Sequence, residues 1–179
     1  MTTFVSDRQI YEQVVRDRVP LACHRLWIAT ADIKDMYVDP PSRFADTEGK
    51  LVPFLEVLSD LVGRGVEVRL IHAKEPGPNF RADFDRYPRL FRAMERVLCS
   101  RVHFKCIIID ETLAWFGSAN LTGAGIGAKS SQKRNFENGV LTDDLALIDP
   151  LAEQVDAVWR GSFCADCGRK DFCPDPIVG

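Results

Sequence analysis

The sequence has no apolar run long enough to cross a bilayer, which takes about 20 consecutive apolar residues in a helix. Its start, Met1-Thr2-Thr3-Phe4-Val5-Ser6-Asp7-Arg8, has neither the basic nor the apolar region of a secretory leader, so a cytoplasmic protein is expected. Positive charge is not in excess. The formal net charge is -3, so no global basic field draws in nucleic acid. Internal repeats and low-complexity stretches are absent. Histidine is scarce, limited to His24, His72 and His103. The six cysteines, in a cytosolic chain, point to metal ligands or packed thiols before disulfides. What remains is ordinary for a soluble protein: 179 residues, 46% hydrophobic and 27% charged, enough for one domain with a substantial core.

Hydrophobic periodicity divides the chain into alternating helices and strands. Residues 7–18 read as a helix that Asp7 can start, ended by Pro20. His24–Thr30 reads as a strand. Residues 31–48 have no clear period and contain Asp39-Pro40-Pro41, so they read as loop with at most one helical turn. Residues 51–64 form an amphipathic helix with an apolar stripe of Leu51, Phe54, Leu55, Leu58, Leu61 and Val62, followed by Gly65. Val66–His72 alternates like a strand, and residues 75–79 are loop. Residues 88–99 read as a helix, 123–133 as a Gly- and Ser-rich loop and 136–141 as a strand. Asp149 is placed to cap a final helix with Pro150 at its first position. This alternation defines the α/β class.

The chemistry concentrates in residues 103–120. Val102–Ile109 is apolar and β-branched, a buried strand. Asp110-Glu111 stands where a turn belongs, and Thr112–Phe116 returns as a second strand. Alternation puts His103 and Lys105 on one face. The fold-back brings Ser118 beside His103, and Gly117 is read as room for close approach by a ligand. Imidazole supplies a nucleophile or proton carrier. The ammonium of Lys105, the hydroxyl of Ser118 and the amide of Asn120 donate hydrogen bonds to an anion, a set suited to a phosphoryl group. Asp110 lies roughly 23 Å from His103 at about 3.3 Å per strand residue, too far to act on it. It is read as structural, accepting backbone amides at the turn.

The spacing His103-x-Lys105-x4-Asp110-x6-Gly117-Ser118-x-Asn120 resembles the HKD motif of the phospholipase D superfamily at every fixed position. Asn135-Phe136-Glu137 resembles the segment that follows this motif in many members, and the likeness extends over residues 22–160. It implies an α/β/α sandwich around a mixed β-sheet, with residues 1–162 as the catalytic domain and 163–179 as an added tail. It also implies a phosphohistidine mechanism without a catalytic metal. His103 serves as nucleophile in one motif and as acid/base in a second, Lys105 and Asn120 hold phosphate oxygens, Ser118 bonds nearby, and Glu137 orients the imidazole. This chain carries one motif. His72-Ala73-Lys74 imitates its start, but Asn79 stands where the Asp belongs, so it reads as a coincidence at a strand end, or a rim residue. The second motif is therefore expected from a second copy of the chain in a homodimer.

In the tail, Cys164-x2-Cys167 has the spacing of a metal knuckle, with Cys173 as a third ligand. Cys23, His24, Cys99 and Cys106 are the candidates for a fourth, with a preference for Cys23. Structural zinc is expected, an iron–sulfur cluster is the alternative, and three free thiols are the plain reading. Cys106, within an apolar strand, reads as packing.

The substrate is open to three readings. They are a nuclease on single-stranded nucleic acid, a phospholipase or phosphatidyl transferase, and a non-catalytic nucleic-acid-binding module. Residues 81–101 hold six arginines against Asp83, Asp85 and Glu95, a local net of +3. On a helix, Arg89, Arg92 and Arg96 share one face. Phe80, Phe84, Tyr87 and Phe91 offer stacking surfaces, and Lys129, Lys133 and Arg134 add charge after the motif.

Overall fold

The computed structural model describes residues 1–44 and 49–177. Strand β1 (Thr2–Ser6) leads into a short helix α1 (Arg8–Ile10) that continues as a π-helical turn over Tyr11–Arg16. The other strands are β2 (Arg25–Thr30), β3 (Tyr37–Val38), β4 (Val52–Pro53), β5 (Glu67–His72), β6 (Glu95–Leu98), β7 (Lys105–Ile109), β8 (Leu113–Gly117) and β9 (Asn138–Thr142). The other helices are α2 (Phe54–Gly63), α3 (Pro78–Asp85), α4 (Pro88–Ala93) and α5 (Leu145–Trp159).

Among the described residues, seven strands form one mixed sheet in the order β1-β9-β8-β7-β2-β5-β6. β2, β5 and β6 run parallel, while β7, β8, β9 and β1 alternate in direction. Strand alternation splits the core into two layers. On one face Leu26, Ile28, Leu70 and Ile107 pack with Leu55, Leu58 and Leu61 of α2. On the other, Trp27, Ile71, Cys106 and Ile108 pack with Ile148 and Val155 of α5. The sheet thus lies between two helical layers, the expected α/β/α arrangement. The apolar run Ile107-Ile108-Ile109 is buried on both faces, which is why it lacks polar alternation.

Several elements differ from expectation. β1 was not foreseen; it pairs antiparallel with β9 at the sheet edge. Asp7 precedes α1 without capping it. Helix α2 starts at Phe54 because Val52 and Pro53 pair with β3. Residues 45–48 of the expected 31–48 loop lie outside the described residues. α3 begins inside the expected 75–79 loop, with Pro78 in its first turn.

The helix expected over residues 88–99 is instead α4 followed by β6. Met94 is already extended, and Glu95–Leu98 joins the sheet beside β5, where tertiary hydrogen bonding overrides helix propensity. Helix α5 starts a turn earlier than expected. Asp144, not Asp149, is its N-cap, its carboxylate accepting the Ala146 N–H at 3.0 Å. Pro150 therefore lies inside the helix, at a cost of about 3 kcal/mol. Burial of Ile148, worth roughly 1.5–3 kcal/mol, offsets much of it.

Candidate active site

Strand direction gathers the chemistry at one end of the sheet. β2 ends at Thr30, β5 at His72 and β8 at Gly117, while β7 begins at Lys105 and β9 at Asn138. His103 is exposed just ahead of β7, and the Lys105 Nζ lies 3.5 Å from its Nδ1, the outer limit of a hydrogen bond. Lys105 is only 8% exposed and forms no ion pair among the described residues. A buried ammonium without a counter-charge is costly, and an arriving anion relieves that cost.

Asn120 is oriented from behind. Its Oδ1 accepts the Asp32 N–H at 3.1 Å, and the Thr30 hydroxyl, which donates to the Asp32 carbonyl at 2.8 Å, lies 3.4 Å from it. Thr30 Oγ1 also accepts the Leu121 N–H at 3.0 Å. With Oδ1 engaged, the Nδ2 hydrogens remain to donate to a phosphoryl oxygen. Ser118 donates to the Glu137 carboxylate and accepts the Asn138 N–H at 3.1 Å. Asn135 Nδ2 donates to the other Glu137 oxygen at 3.1 Å. Glu137 is therefore held by Ser118 and Asn135, and within the described residues of one chain it makes no bond to His103.

Asp7, Thr30 and Asp32 were not anticipated. Asp7 has φ 48°, and its carboxylate accepts the Glu137 N–H at 3.0 Å while its own N–H donates to the Glu137 carbonyl at 2.9 Å. It thus braces Glu137 from just past the end of β1, 130 residues away in sequence, a contact that no local pattern carries.

Gly117 also differs from its expected role. A Cβ there meets the Asn138 carbonyl oxygen at 2.2 Å and the Gly139 Cα at 2.7 Å, so its missing side chain makes room for β9 and not for a ligand.

Asp110 stands at the far end of β7. Its carboxylate accepts the N–H groups of Cys23 at 3.0 Å, His24 at 2.7 Å and Arg25 at 2.8 Å, tying the hairpin to the start of β2. Partial burial pushes its pKa up, but these backbone donors outweigh that and hold it below the ordinary carboxylate range. Asp110 and Glu111 both have positive φ, 52° and 55°, which a tight hairpin turn requires and Asp tolerates.

His72 is fully buried, so it is not a rim residue. Its Nδ1 is 2.7 Å from the Lys74 carbonyl, and burial holds its pKa below the ordinary value. Cys106 is buried in the core, where desolvation pushes its thiol up to about 12.

The arginine face does not assemble. Arg89 and Arg92 sit on α4, whereas Arg96 lies on β6 with its guanidinium over the Phe84 ring. The Arg89 guanidinium lies against Gly63 at the end of α2, and α4 leads into the start of β6, so both helix arginines stand at the end of the sheet away from His103. Phe80 is 2% exposed and stacked on Phe84, and the Tyr87 hydroxyl donates to Glu56 at 2.9 Å. Of the four aromatics only Phe91, 83% exposed, is open to a base. In contrast, Lys129, Lys133 and Arg134 lie in the loop between Asn120 and Glu137, at the active end, and make no ion pair among the described residues.

The tail runs beside β6, with Arg169 Nη1 donating to the Ser100 carbonyl at 2.6 Å and the Leu98 N–H donating to Asp175 at 3.2 Å. Cys23, the favoured fourth ligand, is exposed at the Asp110 end and far from these cysteines, so it cannot join them.

An exposed imidazole, a buried lysine and two oriented polar groups stand together at one end of a mixed sheet, a set chemically suited to a phosphoryl group. The chain belongs to the phospholipase D superfamily: the family described as cardiolipin synthase, PLD-like domain, matches residues 21–159. Enzymes of this superfamily cleave or transfer phosphodiesters. Its fold is similar to that of NucT from Helicobacter pylori, at 15% identity, TM-score 0.60, and coverage of 87% of this chain and 93% of that one. It is also similar to Nuc, a phospholipase D family member from Salmonella typhimurium, at 16% identity, TM-score 0.60, and coverage of 89% and 95%. A third likeness is to TrmBL2, an archaeal chromatin protein with a novel mode of DNA binding, at 15% identity, TM-score 0.53, and coverage of 88% and 52%. No curated protein compared with the chain matches it. No helix among the described residues is long and apolar enough to cross a membrane.

Proposed function

We propose that the protein is a dimeric phosphodiesterase that cuts single-stranded nucleic acid through a phosphohistidine. The observation that carries this reading is the buried, unpaired Lys105 beside an exposed imidazole. An ammonium able to hold an anion and an imidazole able to attack it stand 3.5 Å apart. His103 of one copy attacks phosphorus, forming an N–P bond as the P–O bond to the leaving group breaks. His103 of the second copy gives its proton to the leaving oxygen. That second imidazole then takes a proton from water, which attacks phosphorus and breaks the N–P bond. Lys105 and Asn120 stabilise the charge that grows on the phosphoryl oxygens. Glu137, gripped by Ser118 and Asn135, remains the candidate to orient an imidazole brought by the second copy.

A second copy is required because the chain offers one suitable histidine; His72 is sealed in the core. Phe136, beside Glu137, is 97% exposed, an apolar ring at the site that a second copy can cover. Nucleic acid is favoured by the exposed Lys129 and Lys133 with Arg134 at the active end, which several phosphates of one strand can engage. TrmBL2, which shares the fold over 52% of its length, is a chromatin protein that binds DNA, and this supports the reading. A lipid phosphodiester is the second reading, since the matching family is described as cardiolipin synthase. Single-stranded DNA, duplex DNA, RNA and phosphatidylcholine tested side by side separate the two. Cleavage of single strands, lost in His103→Ala with the fold intact, supports the proposal. Turnover of lipid alone, or full activity in His103→Ala, refutes it.

A further inference from the structure

We propose that Cys99, Cys164, Cys167 and Cys173 together form a four-thiolate zinc site that pins the tail to the segment leading into His103. All four line one cavity of about 30 Å³ between the tail and the end of β6. They come from two parts of the chain, and the tail brackets Cys99: Asp175 accepts the N–H of Leu98 on one side, and Arg169 donates to the carbonyl of Ser100 on the other. All are free thiols. The other two cysteines are placed out of reach, Cys23 at the opposite end of the sheet and Cys106 inside the core.

The tail also needs a staple. Its single 3-10 turn, Lys170–Phe172, buries no residue, and Phe172 is 86% exposed, so hydrophobic packing contributes little to its position. Four thiolates at about 2.3 Å around a tetrahedral ion supply that constraint. Among the described residues no three His, Cys, Asp or Glu side chains stand as a ready ligand set. The four cysteines line the cavity, and binding requires their sulfurs to converge on one point. Three residues separate Cys99 from His103, so the ion anchors the start of the catalytic segment without touching the reacting atoms.

Elemental analysis of protein purified without chelator tests this. About one zinc per chain is expected. It should be lost in Cys99→Ser and in Cys164→Ser, and kept in Cys23→Ser. Cobalt(II) exchanged into the wild type should show intense sulfur-to-metal charge-transfer absorption, weaker in Cys99→Ser whose circular dichroism is unchanged. Metal-free protein with its thiols reduced overturns the proposal. So do iron with a brown chromophore, full zinc in folded Cys99→Ser, and loss of zinc in Cys23→Ser. None of these readouts depends on phosphodiesterase activity.

Discussion

Asp110 and His103, seven residues apart in one motif, flank opposite ends of β7. One holds backbone amides and the other faces the active end. Asp110→Ala should therefore lower stability while leaving the turnover of the folded fraction intact. Its charged hydrogen bonds are partly solvent-screened, and a loss of about 2 kcal/mol is expected. The pH dependence follows from its depressed folded pKa. The stabilisation is present above the unfolded value of about 3.9 and fades as pH falls through the folded value. Urea midpoints of wild type and variant should differ clearly at neutral pH and by less once pH has fallen below the unfolded value of about 3.9. An equal gap at both pH values refutes the assignment.

Lys105 should trade stability for function. Lys105→Met keeps the stem volume and removes the buried charge, so the variant should be inactive yet at least as stable as wild type, by up to about 1 kcal/mol. Inorganic phosphate should raise the wild-type melting temperature and leave that of the variant unchanged. A variant that melts well below wild type shows that the ammonium has a structural partner.

The basic loop and the arginine helix separate cleanly by mutation. Lys129→Ala, Lys133→Ala and Arg134→Ala combined should weaken binding of single-stranded oligonucleotides and reduce the salt slope by roughly 2–3. Arg89→Ala with Arg92→Ala should change neither, because α4 stands at the other end of the sheet. The opposite result restores the arginine face.

Phe136→Asp tests the assembly. Placing a charge on this exposed ring should shift the sedimentation mass from twice the chain mass to the monomer and abolish turnover. Circular dichroism should be unchanged, since the residue is almost fully exposed among the described residues. An active monomer, in this variant or in wild type, removes the two-copy scheme.

The motif was legible because its chemistry is local in sequence. Residues 103–120 form a hairpin whose strands and turn follow from a β-branched run, a polar pair and a second apolar run. Alternation then sets which side chains face the site. The structural role of Asp110 was also accessible, because strand rise alone removes it from His103. The fold class followed from periodicity in the same way.

Tertiary structure decided whatever depends on contacts between distant segments. Residues 95–98 carry no signal that separates a helix from an edge strand. Pairing with β5 made the choice, and it divided Arg89 and Arg92 from Arg96. The roles of Thr30, Asp32 and Asp7 behind Asn120 and Glu137 arise from chain crossings about 90 and 130 residues apart. Gly117 proved to serve β9 because the cross-strand neighbour, not the hairpin, fills its space. The company kept by the tail cysteines followed the same rule. Cys23 and Cys99 are equivalent as letters, and only the parallel run of β2, β5 and β6 places one of them at each end of the sheet.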